Sequence, residues 1–181
     1  MFGNILYPYN RIHIKKVQFI DIHLVTTKDK EIIPLENSDM NIAFYQQNTN
    51  PKLSNRKALK LFIQYIFKKE KKNLSRLDYI FCTDDVLLNI NQQYLNHNCF
   101  TDIITFDLSN DLANIIGEIY ISIDRIKENA QQFKTTYQQE LHRVIFHGAL
   151  HLCNYKDKSP KDKTLMRTKE NFYLNQYCLL Q

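Results

Sequence analysis

The sequence predicts an α+β fold in which a single domain packs a small mixed β-sheet with about five helices. The 181 residues are 44% hydrophobic, which suffices for one core but falls short of what two domains need. Candidate elements follow in the order β-α-β-α-β-β-α-α-α, without the regular alternation typical of parallel sheets. Only three glycines punctuate the chain, so Pro, Asn, Asp and Ser must set the boundaries between elements.

The clearest boundary is the segment PLENSDMN, from Pro34 to Asn41, which combines proline with turn-forming polar residues. We expect residues 1–39 to be an N-terminal extension that lies outside the functional domain. Met40 is then a candidate for the natural start, and residues 40–181 are expected to form the domain.

A strand and a long helix open this domain. The segment MNIAFYQQ alternates polar and apolar residues, which predicts a half-buried strand with Ile42 and Phe44 on one face. The segment LSNRKALKLFIQYIFKKEKK repeats apolar residues at helical spacing and predicts a helix with Ser54 as its N-cap. Its lysines gather at the C-terminal end, where the helix dipole favours positive charge.

The middle of the domain alternates strands with one more helix. RLDYIFCT predicts a strand, and TDDVLLNINQQYLN predicts a helix that begins at Thr83 or Asp84. DIITFDLS and GEIYISI then predict two further strands joined by a loop.

Three helices complete the chain. SIDRIKENAQQFK predicts a helix capped by Ser122, and YQQELHRVIFHGALHLCN predicts a second helix. The last helix is predicted by SPKDKTLMRTKENFYLNQY. In it Ser159 is the N-cap and Pro160 takes the first helical position, where its missing N–H group is not needed.

Charge and cysteine content restrict the class of protein. A formal net charge of +5 is compatible with a polyanionic partner such as RNA and equally with an ordinary soluble surface. No apolar run reaches the roughly 20 residues of a membrane span, so no membrane partner is expected. The four cysteines are scattered without a C-x-x-C pair, which indicates reduced thiols and a cytoplasmic location; they are Cys82, Cys99, Cys153 and Cys178.

The segment HGALHLCNYKD carries the main indication of chemistry. On a helix, His147 and His151 lie one turn apart and project from the same side. Both lie along the edge of an apolar stripe, where metal ligands can be held rigidly and still face a cleft. Gly148 in mid-helix costs about 1 kcal/mol relative to alanine, which indicates the close approach of another element or of substrate.

The chain after this helix offers a third ligand. Asn154 is a common replacement for glycine at a left-handed helix end, and a turn there would bring Asp157 back toward the histidines. Two histidines and one carboxylate leave a fourth position for water, as in catalytic zinc sites. The alternative is a helix end with two incidental histidines. His142 is expected to be a solvated side chain.

The peptidase pattern H-E-x-x-H is absent, because Gly148 occupies the position of its general-base glutamate. A zinc hydrolase acting on peptide or amide bonds therefore lacks its base, and hydrolysis of another bond is favoured. Activity on a panel of peptides would restore that alternative.

Four segments of the chain resemble the motifs of a known family. HGALHLCNYKDK resembles the H-G-x-L-H-L-x-G-Y-D-H segment of the YbeY family, bacterial metal-dependent endoribonucleases of rRNA maturation. LNINQQYLNHNCFTDIITF resembles the family's L-N-x-x-[YF]-x(5)-T-[DN]-V-L-S-F. GEIYIS and LMRTKE resemble its G-D-I-x-I-[SC] and its closing M-x-x-x-E, and the resemblance covers about residues 40 to 178 in the family's order.

The resemblance implies an α+β fold and one zinc ion held by three side chains. It also implies cleavage of single-stranded RNA in 16S rRNA 3′ maturation and ribosome quality control. The partners would then be rRNA and the small ribosomal subunit, and not DNA. The first two ligands carry over to His147 and His151, whereas the family's last histidine falls at Asp157. The family's Asp falls at Lys156 and its Gly at Asn154, so the third ligand departs from the family.

The loop NHNCFTD supplies the candidates for RNA contact, His97 and Asp102. Many family members carry a basic residue directly after the aromatic residue at Tyr94, whereas this chain has Leu95. If the basic residue contacts RNA phosphate in the family, either His97 or a nearby lysine substitutes for it here, or the activity is weaker.

Other residues of the matching motifs have plain structural interpretations. Thr101 and Asp102 can simply start a strand, and Glu118 can be a solvent-facing strand residue. On the last helix, Met166 is expected to be a packing residue and Glu170 a surface residue.

The sequence therefore predicts hydrolysis of an RNA phosphodiester by a metal-activated water, because zinc lowers the pKa of bound water toward about 7. Bases of a single strand can stack on aromatic residues such as Tyr94, Phe100 or Tyr155. No catalytic residue is identified beyond the metal-bound water. The alternative function is a non-catalytic ribosome-assembly factor with a structural metal, which a cleavage assay with and without chelator distinguishes.

Overall fold

The computed structural model describes residues 12–15, 33–34, 41–110 and 114–180. The strands are β1 (Ile12–Lys15), β2 (Ile33–Pro34), β3 (Ile42–Gln46), β4 (Asn73–Cys82), β5 (Ile103–Asp107) and β6 (Asn114–Ser122). The helices are α1 (Arg56–Lys69), α2 (Asp84–Leu95), α3 (Ile123–Gln132), α4 (Tyr137–Leu152) and α5 (Pro160–Cys178). Met40 and most of the PLENSDMN segment lie outside the described residues.

All six strands belong to one mixed sheet with the order β1-β5-β6-β4-β3-β2. β4 runs parallel to β3 and β6, whereas β5 runs antiparallel to β6. β1 and β2 pair with the two outer strands β5 and β3. The predicted fold class, a single α+β domain with a small mixed sheet and five helices, is confirmed.

The helix boundaries follow the predicted capping residues, with one exception. Ser122 and Ser159 each accept a hydrogen bond from the backbone three residues on, and Thr83 is the N-cap of α2. For α1 the prediction of Ser54 was wrong, because Asn55 is the N-cap and its side chain accepts from the backbone of the first helical turn. Asparagine tolerates the left-handed backbone that this position requires, with φ of 44°.

The central helix α4 lies on one face of the sheet and is buried on nearly all sides. It contacts β5 and β6 below it and α1, α3 and α5 around it. Its apolar surface is therefore broader than the predicted stripe, and Ala149 and Leu150 are also fully buried. Across the part of the chain that the structure describes, no helix has the length and apolar character that crossing a membrane requires.

Two glycines allow α4 to approach β6 closely. A Cβ atom on Gly148 would lie 2.8 Å from Cδ1 of Ile119 and 3.0 Å from Cδ1 of Ile103. A Cβ atom on Gly117 of β6 would lie 2.6 Å from Cδ1 of Leu152. The prediction that another element approaches Gly148 is therefore confirmed. α4 contacts the sheet closely at Gly148 and at Leu152, and the two histidines lie beside these contacts.

The opposite face of the sheet holds a second, smaller core beneath α2, with Ile80, Phe106 and Tyr120 at its centre. Glu118 points to this face and is only 1% exposed, so the prediction of a solvent-facing residue was wrong. Burial raises the pKa of Glu118 to about 7, and a hydrogen bond from the Tyr120 hydroxyl partly opposes this rise.

Candidate metal centre

The candidate metal centre forms at the C-terminal end of α4. His147 and His151 lie one helical turn apart, and each side chain is only 2% exposed. The centroids of the two imidazole rings are 4.4 Å apart and the rings are nearly perpendicular. Because α4 is seated on the sheet at Gly148, both rings extend from a rigid backbone.

The chain reverses direction directly after α4, at Asn154. Its φ of 74° is the left-handed conformation that the sequence predicted. The Asn154 N–H group donates to the carbonyl of His151 at 2.9 Å, and the Tyr155 N–H group donates to the carbonyl of Leu150 at 3.1 Å. These bonds close the helix and turn the following residues back toward the histidines.

The turn places Asp157 beside both histidines, as predicted. Its Oδ2 atom lies 3.7 Å from Nε2 of His147 and 3.6 Å from Nε2 of His151. One donor atom from each of the three residues lies within 4.8 Å of the other two. Tetrahedral ligands about 2.1 Å from a metal are separated by roughly 3.4 Å, so the two distances from Asp157 to the histidines are close to those between ligands of one zinc-sized ion.

The Nδ1 atom of each imidazole forms a hydrogen bond with an acceptor from another part of the chain. Nδ1 of His151 lies 2.9 Å from the carbonyl oxygen of Tyr155, and Nδ1 of His147 lies 2.6 Å from Oε1 of Glu170. Since a carbonyl and a carboxylate accept hydrogen bonds, Nδ1 carries the proton and Nε2 presents its lone pair toward Asp157. This tautomer is the one that a metal ligand requires.

Glu170 is the residue beside the candidate metal centre whose burial the sequence did not predict. The prediction of a surface residue was wrong, because its side chain is only 3% exposed and lies between His147 and two arginines. Arg167 and Arg143 approach its other carboxylate oxygen at 3.0 and 3.4 Å. The sequence signals were the match of LMRTKE to the family's M-x-x-x-E and the spacing of Met166 and Glu170, which puts both on one face of α5. Met166 is buried, as predicted.

A second network fixes the turn that carries Asp157. The hydroxyl group of Tyr155 donates to Glu70, which directly follows α1, at 2.8 Å. The ammonium group of Lys169 donates to the same carboxylate at 2.8 Å, and the Tyr173 hydroxyl also bonds to it. Burial alone would raise the pKa of Glu70, but these three hydrogen bonds lower it. No local sequence pattern indicated this contact, because its partners come from α1, α5 and the turn between α4 and α5.

His142 is not the solvated side chain that we predicted. It is 4% exposed, stacks on Phe146 and meets the edge of Tyr177. Burial lowers its pKa to about 4, so the ring is neutral near pH 7. The prediction failed because α5 covers the side of α4 on which His142 lies.

The two candidates for RNA contact are not part of the metal cluster. His97 is exposed in the segment that follows α2. Asp102 is 0% exposed, and its carboxylate accepts a hydrogen bond from Asn129 at 3.2 Å. In this conformation Asp102 therefore fastens the start of β5 to α3 and offers no surface to RNA. The segment leads to Ile103, which contacts α4 at Gly148.

Fold and site together define a class: an α+β domain with a cluster of three donors that could hold a metal ion, the number of protein ligands that catalytic zinc sites have. The family model Endoribonuclease YbeY matches residues 41–178. Endoribonuclease YbeY of Cytophaga hutchinsonii is 47% identical over 134 residues, which cover 74% of this chain and 94% of that protein. Endoribonuclease YbeY of Flavobacterium psychrophilum is 48% identical over 120 residues, covering 66% and 85%.

A solved structure agrees with these comparisons. The solution structure of TM1509 from Thermotoga maritima matches with a TM-score of 0.52 and 30% sequence identity, over 70% of this chain and 85% of that one. The chain belongs to the YbeY endoribonuclease family. This membership supports an endoribonuclease role, and the cluster of His147, His151 and Asp157 is able to hold a metal ion.

We predict that Asp157→Ala weakens metal binding by about ten-fold or more, the size expected when a ligand is removed. Asp157→His should keep the metal and bind zinc more tightly. The parent carboxylate adds a negative charge, so the parent site should accept Mn²⁺ more readily than the histidine variant does. Competition with a chromophoric chelator measures the zinc and Mn²⁺ affinities of the parent and of both variants. Parent-like zinc affinity in Asp157→Ala would show that another residue completes the site.

We also predict that Glu170→Gln lowers metal affinity by about 10- to 100-fold, because His147 loses a charged acceptor on Nδ1. The matched control is Glu128→Gln, which removes an exposed carboxylate paired with Arg125 on α3. Metal titration and thermal unfolding are measured on both variants. Equal metal affinity in the two variants would contradict a role for Glu170 in holding His147.

Proposed function

We propose that this protein is a single-strand-specific, metal-dependent endoribonuclease that acts in rRNA processing, in 16S rRNA 3′-end maturation and ribosome quality control. One zinc ion is bound by His147, His151 and Asp157. The observation that carries the proposal is the convergence of these three donors in a chain of the YbeY family.

The donor set supports a catalytic rather than a purely structural ion. Three protein ligands leave a fourth position open, whereas structural zinc sites are usually closed by four. The Asp157 side chain is 19% exposed while both histidines are 2% exposed, so the open side of the site lies toward Asp157. When bound, the ion supplies Lewis acidity, which acidifies a coordinated water and stabilises negative charge on a phosphate.

Two hydrogen bonds keep the histidines of this site in one tautomer and one orientation. Glu170 holds the Nδ1 proton of His147, and the Tyr155 carbonyl holds that of His151. Arg143 and Arg167 balance the charge of Glu170 from behind. The ligands are therefore arranged before substrate arrives, which reduces the reorganisation that the reaction requires.

The proposed substrate is single-stranded RNA, whose bases can splay and stack on aromatic rings. Of the three aromatic residues that the sequence suggested, Phe100 is the most accessible, with 42% of its surface exposed. Tyr94 packs against Phe106, and Tyr155 is tied to Glu70. Phe100 is therefore our candidate for base stacking, although Arg125 lies 5.1 Å from its ring centroid.

We place the protein in the cytoplasm, with the small ribosomal subunit as its partner and neither DNA nor a membrane as a target. All four cysteines are free, and Cys99 and Cys178 are exposed. Exposed free thiols are typical of a reducing compartment.

The proposal is tested by cleavage of a single-stranded RNA and of the same sequence in a duplex, each with and without chelator. We expect metal-dependent cleavage of the single strand alone, and strongly reduced cleavage by Asp157→Ala. Retained metal and retained ribosome binding without any cleavage would instead support an assembly factor with a structural metal.

We predict that His97→Ala weakens RNA binding and slightly flattens its salt dependence, because an exposed imidazole in this segment can contact phosphate. The control is Gln93→Ala, which alters an exposed neutral residue on α2. Binding is measured across a range of salt concentrations. Unchanged affinity and salt slope would remove His97 from the RNA-binding surface.

We propose further that residues 40–181 form the catalytic domain and that 1–39 are dispensable. Every element that carries a residue of the metal centre begins after residue 55. We predict that a chain starting at Met40 folds and retains metal, as judged by circular dichroism and metal content. The shortened chain also exposes the edges of β3 and β5, where β2 and β1 pair in the full chain. Aggregation or loss of activity would show that the extension belongs to the domain.

A further inference from the structure

A dense group of lysines surrounds the turn between α1 and β4. The sequence KKEKK, residues 68–72, contains a single acidic residue, Glu70. Lys68, Lys69 and Lys71 are exposed and Lys72 is half-buried. We call the three exposed residues the lysine turn.

The lysine turn has a defined conformation. Lys71 has a φ of 57°, and its N–H group donates to the carbonyl of Lys68 at 3.1 Å. The N–H group of Lys72 donates to the carbonyl of Phe67 at 2.8 Å. These are the bonds that close a helix through a left-handed residue, so the three ammonium groups extend from a fixed backbone.

Glu70 connects the lysine turn to the metal centre. Its carboxylate accepts a hydrogen bond from the Tyr155 hydroxyl, and the Tyr155 carbonyl accepts the Nδ1 proton of His151. Tyr155 therefore links Glu70, which lies among these lysines, to the proposed metal ligand His151.

The inward orientation of Glu70 separates its negative charge from the positive charges of the lysine turn. Glu70 points inward, where Lys169 neutralises it, while the lysine turn faces solvent. Lys156 and Lys158, which flank Asp157, are exposed as well. Among the described residues, no ion pair involves any of these five lysines. The hydrogen bond between Tyr155 and Glu70 joins the two turns beside the proposed metal centre. Their acidic residues, Glu70 and Asp157, are only 12% and 19% exposed, whereas the five lysines are exposed, so the two turns present mainly positive charge to solvent.

We propose that the lysine turn, together with Lys156 and Lys158, is a phosphate-contacting surface that holds the RNA backbone beside the metal centre. This inference rests on the proposed function. Lysine is a flexible point charge that attracts phosphate without reading the base. The surface therefore suits a single strand of any sequence, and it contributes affinity that depends on salt.

The test compares two triple variants with the same change of charge. Lys68→Gln, Lys69→Gln and Lys71→Gln together neutralise the lysine turn. The control combines Lys52→Gln, Lys57→Gln and Lys134→Gln, three exposed lysines in other parts of the chain.

The control lysines lie away from the lysine turn: Lys52 and Lys134 are near the start of α4, and Lys57 is in the first turn of α1, at the opposite end of that helix. Gln138, in the first turn of α4, donates to the Lys52 carbonyl, and Lys134 precedes that helix by a few residues. Sixteen residues of helix span about 24 Å. One lysine of the first triple, Lys71, and two of the second, Lys52 and Lys134, have positive φ, so the control carries at least as large a backbone effect as the test variant.

Binding is measured by fluorescence anisotropy on the metal-loaded proteins, with a single-stranded 2′-O-methyl RNA that keeps every phosphate charge. We expect the lysine-turn variant to bind about ten-fold more weakly than the control at low salt. Its slope of log affinity against log salt should be smaller by about 2, since each lost contact on a single strand contributes about 0.7. Metal content should be the same in both variants.

The two proposals fail in different ways. If the parent cleaves RNA but both triples bind alike, the lysine-turn surface is wrong and the endoribonuclease function stands. If the parent binds the strand through the lysine turn but never cleaves RNA, the surface stands and the proposed function is wrong. Thermal unfolding of both triples checks that a difference in binding is not a difference in folding.

Discussion

The close contact between α4 and β6 is the constraint on which the rest of the structure depends. Two of the three glycines in the chain, Gly117 and Gly148, lie in this contact, and a Cβ atom at either would overlap a neighbouring side chain. Gly148 lies between His147 and His151 in sequence, so the contact that seats the helix also sets the position of the ligands. The approximate 1 kcal/mol that glycine costs in a helix is offset here by burial of Ile103 and Ile119 against α4.

A seated helix orients the backbone of the ligands but not their rings. The rings are oriented by acceptors from two further places: Glu170 on α5 and the Tyr155 carbonyl in the turn after α4. Both acceptors are themselves anchored, Glu170 by Arg143 and Arg167, and Tyr155 by Glu70 at the end of α1. The candidate metal centre is therefore the point where α1, α4 and α5 meet, and any metal affinity is expected to depend on the packing of all three.

The sequence predicts well the features that local interactions determine. The caps Ser122 and Ser159, the left-handed Asn154 and the close approach at Gly148 each follow from one residue and its neighbours. The failures concern polar residues whose burial depends on distant partners. Glu170 and Glu118 were assigned to the surface because a carboxylate is rarely buried alone, and the groups that accompany them, His147 and Tyr120, adjoin them only in the folded chain.

The distribution of charge differs between the two sides of the candidate metal centre. Behind the histidines, the negative charge of Glu170 is balanced by two guanidinium groups, both more than three-quarters buried. In front, Asp157 lies between two exposed lysines in the sequence. A divalent cation held by one carboxylate and two neutral imidazoles retains a net positive charge, whereas a second carboxylate ligand would cancel it. With an ion bound, the open side of the proposed centre would be positive at the ion and at its rim, which is the polarity that attracts phosphate.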